Sequence, residues 1–186
     1  MSKLFCFIFC LIFFSCTDNC DSVKKEVQAL MKDKYKKRMI FPDNIEMLTD
    51  SSVVGGGKDI QKIIMSKRVT VFHFFTADCD KCINELSHIK VILKKLPKDT
   101  TVAYIFLASS PSKKYLVDAI AKLNFSYPIF YEKKYYSFKN INKLPLSDQL
   151  YNTMLLNNQM EVILFGSFFN NQKAKDLFQK AIACDL

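Results

Sequence analysis

Apolar residues fall along this chain in two patterns, compact runs and stripes at helical spacing, and the two alternate. Residues 67–75 (KRVTVFHFF) are rich in β-branched and aromatic side chains and predict a buried strand. Residues 81–96 set Ile83, Leu86, Ile89, Ile92, Leu93 and Leu96 on one stripe, which predicts a helix ended by Pro97-Lys98-Asp99. Residues 101–108 (TVAYIFLA) repeat the strand pattern, and 112–123 the helical one, with Ser110 and Pro111 as start signals. Residues 127–131 (YPIFY) predict a short strand. After a less regular stretch, 153–156 and 161–165 flank the turn-forming Asn157-Asn158-Gln159 and predict a hairpin. Residues 171–183 close the chain as an amphipathic helix. A β-α-β start followed by a hairpin and a helix implies an α/β fold, a central mixed sheet flanked by helices on both faces.

The beginning of the chain follows other rules. Lys3 precedes an unbroken apolar run at 4–14 (LFCFIFCLIFF), too short for the roughly 20 residues of a spanning helix and suited to a signal segment over 1–15. Phe13-Phe14-Ser15-Cys16 resembles a bacterial lipobox, with Cys16 as the residue that would carry lipid; Phe13 stands where that motif usually has Leu. An ordinary secretory peptide and an uncleaved anchor are the alternatives, and all three place the remainder outside the cytoplasm, where thiols can oxidise. Residues 16–44 follow as a tether in which Val23, Val27, Leu30 and Met31 form a weak amphipathic helix among lysines. Gly55-Gly56-Gly57 lacks the ending and the preceding strand of a phosphate loop, and is expected to be a connector before a helix at 59–65.

Composition narrows this to a single core over 45–186, since 186 residues with 49% apolar content suit one domain better than two. The net charge of +9 raises nucleic acid or anionic lipid as partners. Beyond the cluster at 32–38 the basic residues are scattered and no nucleic-acid motif accompanies them, so a solvated lysine face is expected and no nucleic acid. Of the seven cysteines, only Cys79 and Cys82 are closely paired.

That pair stands between a predicted strand and a predicted helix, and could exchange electrons, hold a metal or staple a turn. A cysteine at a helix N-terminus meets the positive end of the macrodipole, where thiol pKa values of about 3.5 to 7.5 occur. Cys79 is therefore the expected nucleophile and Cys82, one turn on, the resolving thiol. Asp80 and Lys81 between them act in opposite senses on a thiolate. A disulfide closing so small a loop adds little chain entropy, which argues against a staple. Two thiolates with His73 or His88 could bind Cu(I) or Zn(II). A binding module that merely uses the fold would tolerate loss of both cysteines.

Phe74-Phe75-Thr76-Ala77-Asp78-Cys79-Asp80-Lys81-Cys82, the following Glu85-Leu86, and Thr153-Met154-Leu155-Leu156-Asn157 leading into Val162-Ile163-Leu164-Phe165-Gly166 resemble the thioredoxin-like superfamily. More narrowly they resemble TlpA/ResA-like thiol-disulfide oxidoreductases, of the lipoprotein type found in Bacteroidetes. The resemblance covers roughly residues 45–183. It implies a thioredoxin fold and a disulfide oxidoreductase working through Cys79 and Cys82, without organic cofactor or resident metal. It further implies disulfide-containing envelope proteins as clients, a membrane or periplasmic electron donor, and attachment to the membrane through the N-terminal lipid. His73 occupies the position of a buried proton-relaying Asp, and Glu85 that of a Glu beside the active site. The cis-proline of the superfamily is replaced: its position falls on Tyr151, which with Asn152 becomes the expected substrate-facing loop. Pro145 lies too far upstream to substitute. Copper chaperones of this fold have a three-residue spacer and a late His, neither of which occurs here. Cys20 and Cys184 could pair if the chain ends meet, or stay free.

Overall fold

In the computed structural model, residues 17–48, 57–96, 98–184 and 186 are described. Their elements in chain order are α1 (Thr17–Met31), a 3-10 turn at Lys32–Lys34, β1 (Ile45–Leu48), α2 (Gly57–Met65), β2 (Val69–Thr76), α3 (Asp80–Lys95) and β3 (Val102–Ser109). There follow α4 (Lys113–Leu123), β4 (Ile129–Glu132), the one-turn α5 (Ser137–Ile141), a 3-10 turn at Gln149–Asn152, β5 (Thr153–Asn157), β6 (Val162–Phe165) and α6 (Gln172–Ala183). The six strands form one sheet in the order β1-β4-β3-β2-β5-β6. β2 runs parallel to β3, from Val69 opposite Val102 to Thr76 opposite Ser109, and antiparallel to β5, with His73 opposite Thr153. The mixed sheet expected from the β-α-β start is thus present.

β2 lies at the middle because its sequence suits burial on both faces: Val69 to Phe75 are all buried. Phe72 and Phe74 point to one face and meet Phe41 and Phe138 with ring centroids 5.0 to 6.2 Å apart. His73 and Phe75 point to the other, where His73 contacts Phe106 and Phe169. Each fully buried Phe contributes about 1.5 to 3 kcal/mol of transfer free energy. α3 buries Ile83, Leu86, Ile89 and Leu93 of the expected stripe, with Ile92 and Leu96 partly buried against the same core.

Two elements were not expected. β1 is a short edge strand antiparallel to β4, whose buried Glu46 is neutralised by Lys113 at 2.8 Å and Lys133 at 3.6 Å. α5 depends on a buried carboxylate: Glu132 Oε2 accepts hydrogen bonds from the Phe138 N–H at 2.8 Å and the Ser137 hydroxyl at 2.9 Å.

The expected tether is instead packed onto the domain. Val23, Val27 and Met31 form a buried face of α1 against β6 and α6, while Leu30, one position off that face, is 61% exposed. Cys20 and Cys184 form a disulfide with Cα atoms 5.3 Å apart, which answers the question of their pairing. Past α1, Val162 donates to Lys37 O at 2.9 Å and accepts from Lys36 at 2.8 Å, and Met39 donates to Met160 O at 2.8 Å. These bonds cover the outer edge of β6. The signal segment, Cys16 and Gly55-Gly56 lie outside the described residues. No helix of the described residues is long and apolar enough to cross a membrane.

Because the disulfide joins residues 164 apart in sequence, it restrains nearly the whole unfolded chain. Cys20→Ser is expected to lower the unfolding free energy in urea by about 2 to 5 kcal/mol. A loss below about 0.5 kcal/mol would show that packing of α1 alone carries its attachment.

Candidate active site

The cysteine pair is delivered by the end of β2. Ala77 N–H donates to Ser109 O at 2.9 Å, and the Ser110 hydroxyl donates to Ala77 O at 2.7 Å, so the chain leaves the sheet at a fixed point. Cys79 is extended (φ −151°, ψ 157°) and caps α3, its carbonyl accepting from the N–H groups of Cys82 at 3.1 Å and Ile83 at 3.3 Å. Cys79 is exposed and Cys82 half-buried. Both are free thiols, with sulfurs 2.8 Å apart. A bonded pair would stand at about 2.05 Å, so the two forms differ by a small side-chain movement.

Around them the contacts are unequal. Cys82 donates to Asp78 Oδ1 at 3.5 Å and lies 3.6 Å from Thr76 Oγ1. Burial first, and the hydrogen bond with Cys79 second, push the Cys82 thiol up to about 11, so it holds its proton. Two tyrosines anchor the acidic neighbours: Tyr135 donates to Asp78 Oδ2 at 2.9 Å, and Tyr115, in the first turn of α4, donates to Asp80 Oδ1 at 2.6 Å. The Tyr135 bond is the main cause that draws the Asp78 carboxyl below its usual range. The Tyr115 phenol, hydrogen-bonded to Asp80, is raised to about 12. Asp78, Cys79 and Cys82 hold their donor atoms within 4.8 Å of one another, a possible soft-metal donor set that does not include His73.

The other sequence-predicted residues lie apart from the sulfurs in hydrogen-bonding terms. His73 is 3% exposed, its Nδ1 is paired with Thr153 Oγ1 at 2.8 Å, and its Nε2 has no partner among the described residues. Burial foremost, then the Lys139 charge, pulls its pKa to about 3. The relay expected for His73 therefore has no hydrogen bond to a cysteine to work through, and the imidazole is neutral. Glu85 accepts from Asn170 Nδ2 at 3.2 Å rather than meeting a sulfur, and His88 is exposed on α3. Tyr151 is buried against Phe165, and its hydroxyl accepts from Lys34 Nζ. Asn152 Oδ1 accepts at 2.7 Å from Lys139 Nζ, which also donates to Pro145 O and Leu146 O at 3.2 and 3.0 Å. Buried Lys139 thus ties down the loop in which a cis-proline was missed, and no cis peptide bond occurs among the described residues.

Asp78, Tyr115, Tyr135 and Lys139 were not singled out from sequence as site residues. Tyr115 lies 35 positions from Asp80 and Tyr135 57 positions from Asp78, beyond any local spacing signal.

No family model and no curated protein matches the sequence. Solved structures do. A structure from Bacteroides vulgatus assigned as a thiol-disulfide oxidoreductase aligns with TM-score 0.57 and 13% identity, over 76% of this chain and 89% of that one. One from Chlorobium tepidum assigned as the thiol:disulfide interchange protein DsbE aligns with TM-score 0.55 and 12% identity, over 81% and 99%. A Bacteroides thetaiotaomicron structure assigned as a protein disulfide isomerase gives TM-score 0.53 at 18% identity, over 79% and 87%. The chain has a thioredoxin-like fold. The α/β architecture expected from sequence is this fold.

The state of His73 fixes a pH dependence. Its folded pKa of about 3 lies below the ordinary 6.5, so between these values the unfolded chain binds a proton that the folded chain does not. Stability contributed by His73 is complete above about pH 6.5 and is lost as pH falls toward 3. His73→Leu is expected to flatten the decline in urea-unfolding free energy between about pH 6.5 and 4. An unchanged slope would mean that the imidazole is not held neutral.

Proposed function

We propose that this protein is a thiol-disulfide oxidoreductase of the cell envelope that reduces protein disulfides through Cys79 and Cys82. The observation that carries the reading is the pair of free sulfurs 2.8 Å apart, one exposed and one half-buried, at the start of α3 in a thioredoxin-like fold. Cys79 is the attacking thiol because it is the accessible one; Cys82, shielded and protonated, resolves the mixed disulfide. Oxidoreductase assignments of the aligned structures, including the DsbE assignment, support the same class. The Cys20–Cys184 disulfide supports an oxidising compartment. Lipid on Cys16 would hold the protein to a membrane, with disulfide-containing envelope proteins as clients and a membrane or periplasmic donor of electrons. Tyr151 and Asn152 are proposed to contribute the backbone of the client-facing loop, since their side chains are already engaged by Lys34 and Lys139.

The reducing direction follows from electrostatics. Cys82, beside the Asp78 carboxylate, keeps its proton, so the dithiol form draws no stabilisation from a Cys82 thiolate, which favours giving up electrons. Equilibration of the protein against a dithiothreitol or glutathione series is expected to give a reversible transition nearer the roughly −270 mV of thioredoxin than the roughly −120 mV of DsbA, absent in Cys79→Ala. A pair that cannot be cycled without unfolding would leave only a binding module.

A soft-metal reading has one observation in its favour, the Asp78, Cys79 and Cys82 donor set. Zinc titration of the reduced protein against a chromophoric chelator separates the two. Affinity too weak to compete, beside intact redox cycling in chelator, is the expected result.

A further inference from the structure

We propose that the groove between α1 and α6 docks the client polypeptide, and that it takes an apolar stretch carrying acidic side chains. This deepens the oxidoreductase reading and rests on it. The groove encloses about 590 Å³, within the size range of natural binding clefts. Buried Met31, Phe165 and Phe178 form its floor. Leu30 and Leu150, 61% and 47% exposed, stand at its rim. Two leucines left in water beside an apolar cleft are surface without a partner.

Charge gives the partner its sign. Lys32, Lys34 and Lys173 line the groove against one carboxylate, that of Glu26. None of the three lysines is in an ion pair among the described residues. The Lys34 ammonium is also held in place, since it donates to the Tyr151 hydroxyl and sits 4.1 Å from the centre of that ring. An acidic side chain entering the groove meets three cations that no carboxylate neutralises, and a basic one is repelled.

Sheet register ties the groove to the thiols. His73 of β2 is opposite Thr153 of β5, and Thr153 O accepts from the N–H of Gly166, just past β6, at 3.1 Å. Gly166 lines the groove, so the groove lies at the end of the sheet from which Cys79 departs, two strands away from β2. Two strand spacings amount to about 10 Å, or roughly three to four residues of extended chain. A client engaged at Cys79 reaches the groove across the turn at Leu150 and Tyr151, which line it as well. A lipid acyl chain suits this place less. Lipid on Cys16 would enter at the Thr17 end of α1, and Leu30 and Met31 stand about 20 Å of helix away from that end.

The test uses two peptides whose single cysteine is capped with 4-thiopyridine. One carries Leu-Leu-Glu-Glu on both sides of the cysteine beyond a Gly-Ser-Gly spacer; in the other, lysines replace the glutamates. Cys79 attacks the peptide sulfur, thiopyridone leaves, and Cys82 frees the peptide thiol as the Cys79–Cys82 bond closes, so the two electrons of the dithiol end on the two departing thiols. The reduced protein is expected to release thiopyridone about tenfold faster from the glutamate peptide at low ionic strength, with the two rates converging in about 0.5 M salt. Rates are read as the ratio of the two peptides, so a change in thiol reactivity common to both cancels. Leu30→Ser with Lys32→Glu and Lys173→Glu alters only exposed side chains and is expected to bring the ratio to parity or below. Lys94→Glu with Lys122→Glu, exposed lysines outside the groove, is expected to keep it. Equal rates in wild type, or a preference that survives in the groove variant, overturns the proposal. Groove-dependent binding to phosphatidylglycerol vesicles beside equal peptide rates overturns it in favour of lipid. Small, uncharged 4,4′-dithiodipyridine must yield two thiopyridones with wild type whatever the groove does; failure there removes the redox pair, and so separates failure of the underlying reading from failure of the groove.

Discussion

The central constraint is that β2 is bonded on both edges and buried on both faces. Parallel pairing with β3 runs its full length, and β5 occupies the other edge. A slip of one residue would exchange Phe72 and Phe74 with His73 and Phe75, turning the whole set to the wrong face. The register is therefore fixed, and with it the point at which the chain leaves the sheet. Cys79 inherits its place at the head of α3 from that rigidity rather than from contacts of its own. The exposed sulfur stands on a rigid support.

Polar groups buried around this core divide the work of shaping the site. Glu132 starts α5, Lys139 gathers three acceptors of the loop before β5, and Asn142 exchanges hydrogen bonds with the backbone of Ile40 at 2.8 Å. Each would be costly if left unpartnered, so each specifies the local path of the chain as well as stabilising it. The loop before β5 is held by an ammonium group.

Legibility in the sequence tracked how local the cause was. β2, α3, β3, α4, the hairpin and α6 were visible because periodicity is carried within each segment; the caps of α4 and α6 are Ser112 and Asn171, accepting from Tyr115 and Ala174, whereas Ser110 and Pro111, the start signals expected for α4, precede its cap. β1 was not, since four residues with a charged Glu46 show no strand pattern until Lys113 and Lys133 are brought alongside. α5 depends on Glu132 rather than on its own sequence. The helix of α1 was readable from Val23 and Val27, but its docking was not, because the other half of that interface is contributed by α6 and Cys184. The Cys79/Cys82 pair was plain from spacing. The carboxylate beside it was hidden, since Asp78 is set in place only when Tyr135, 57 positions away, closes on it, and His73 attracted attention by position although its partner is Thr153.

The clasp between Cys20 and Cys184 also changes the topology of the molecule. Nearly all of the described chain lies within one covalent ring. A single proteolytic cut anywhere on that ring opens it into a chain without dividing it, so the two sides of the nick stay joined and close to their native neighbours. Damage that would split an uncrosslinked domain into two diffusing pieces becomes, for this protein, a local break that noncovalent packing can hold shut until the disulfide is reduced.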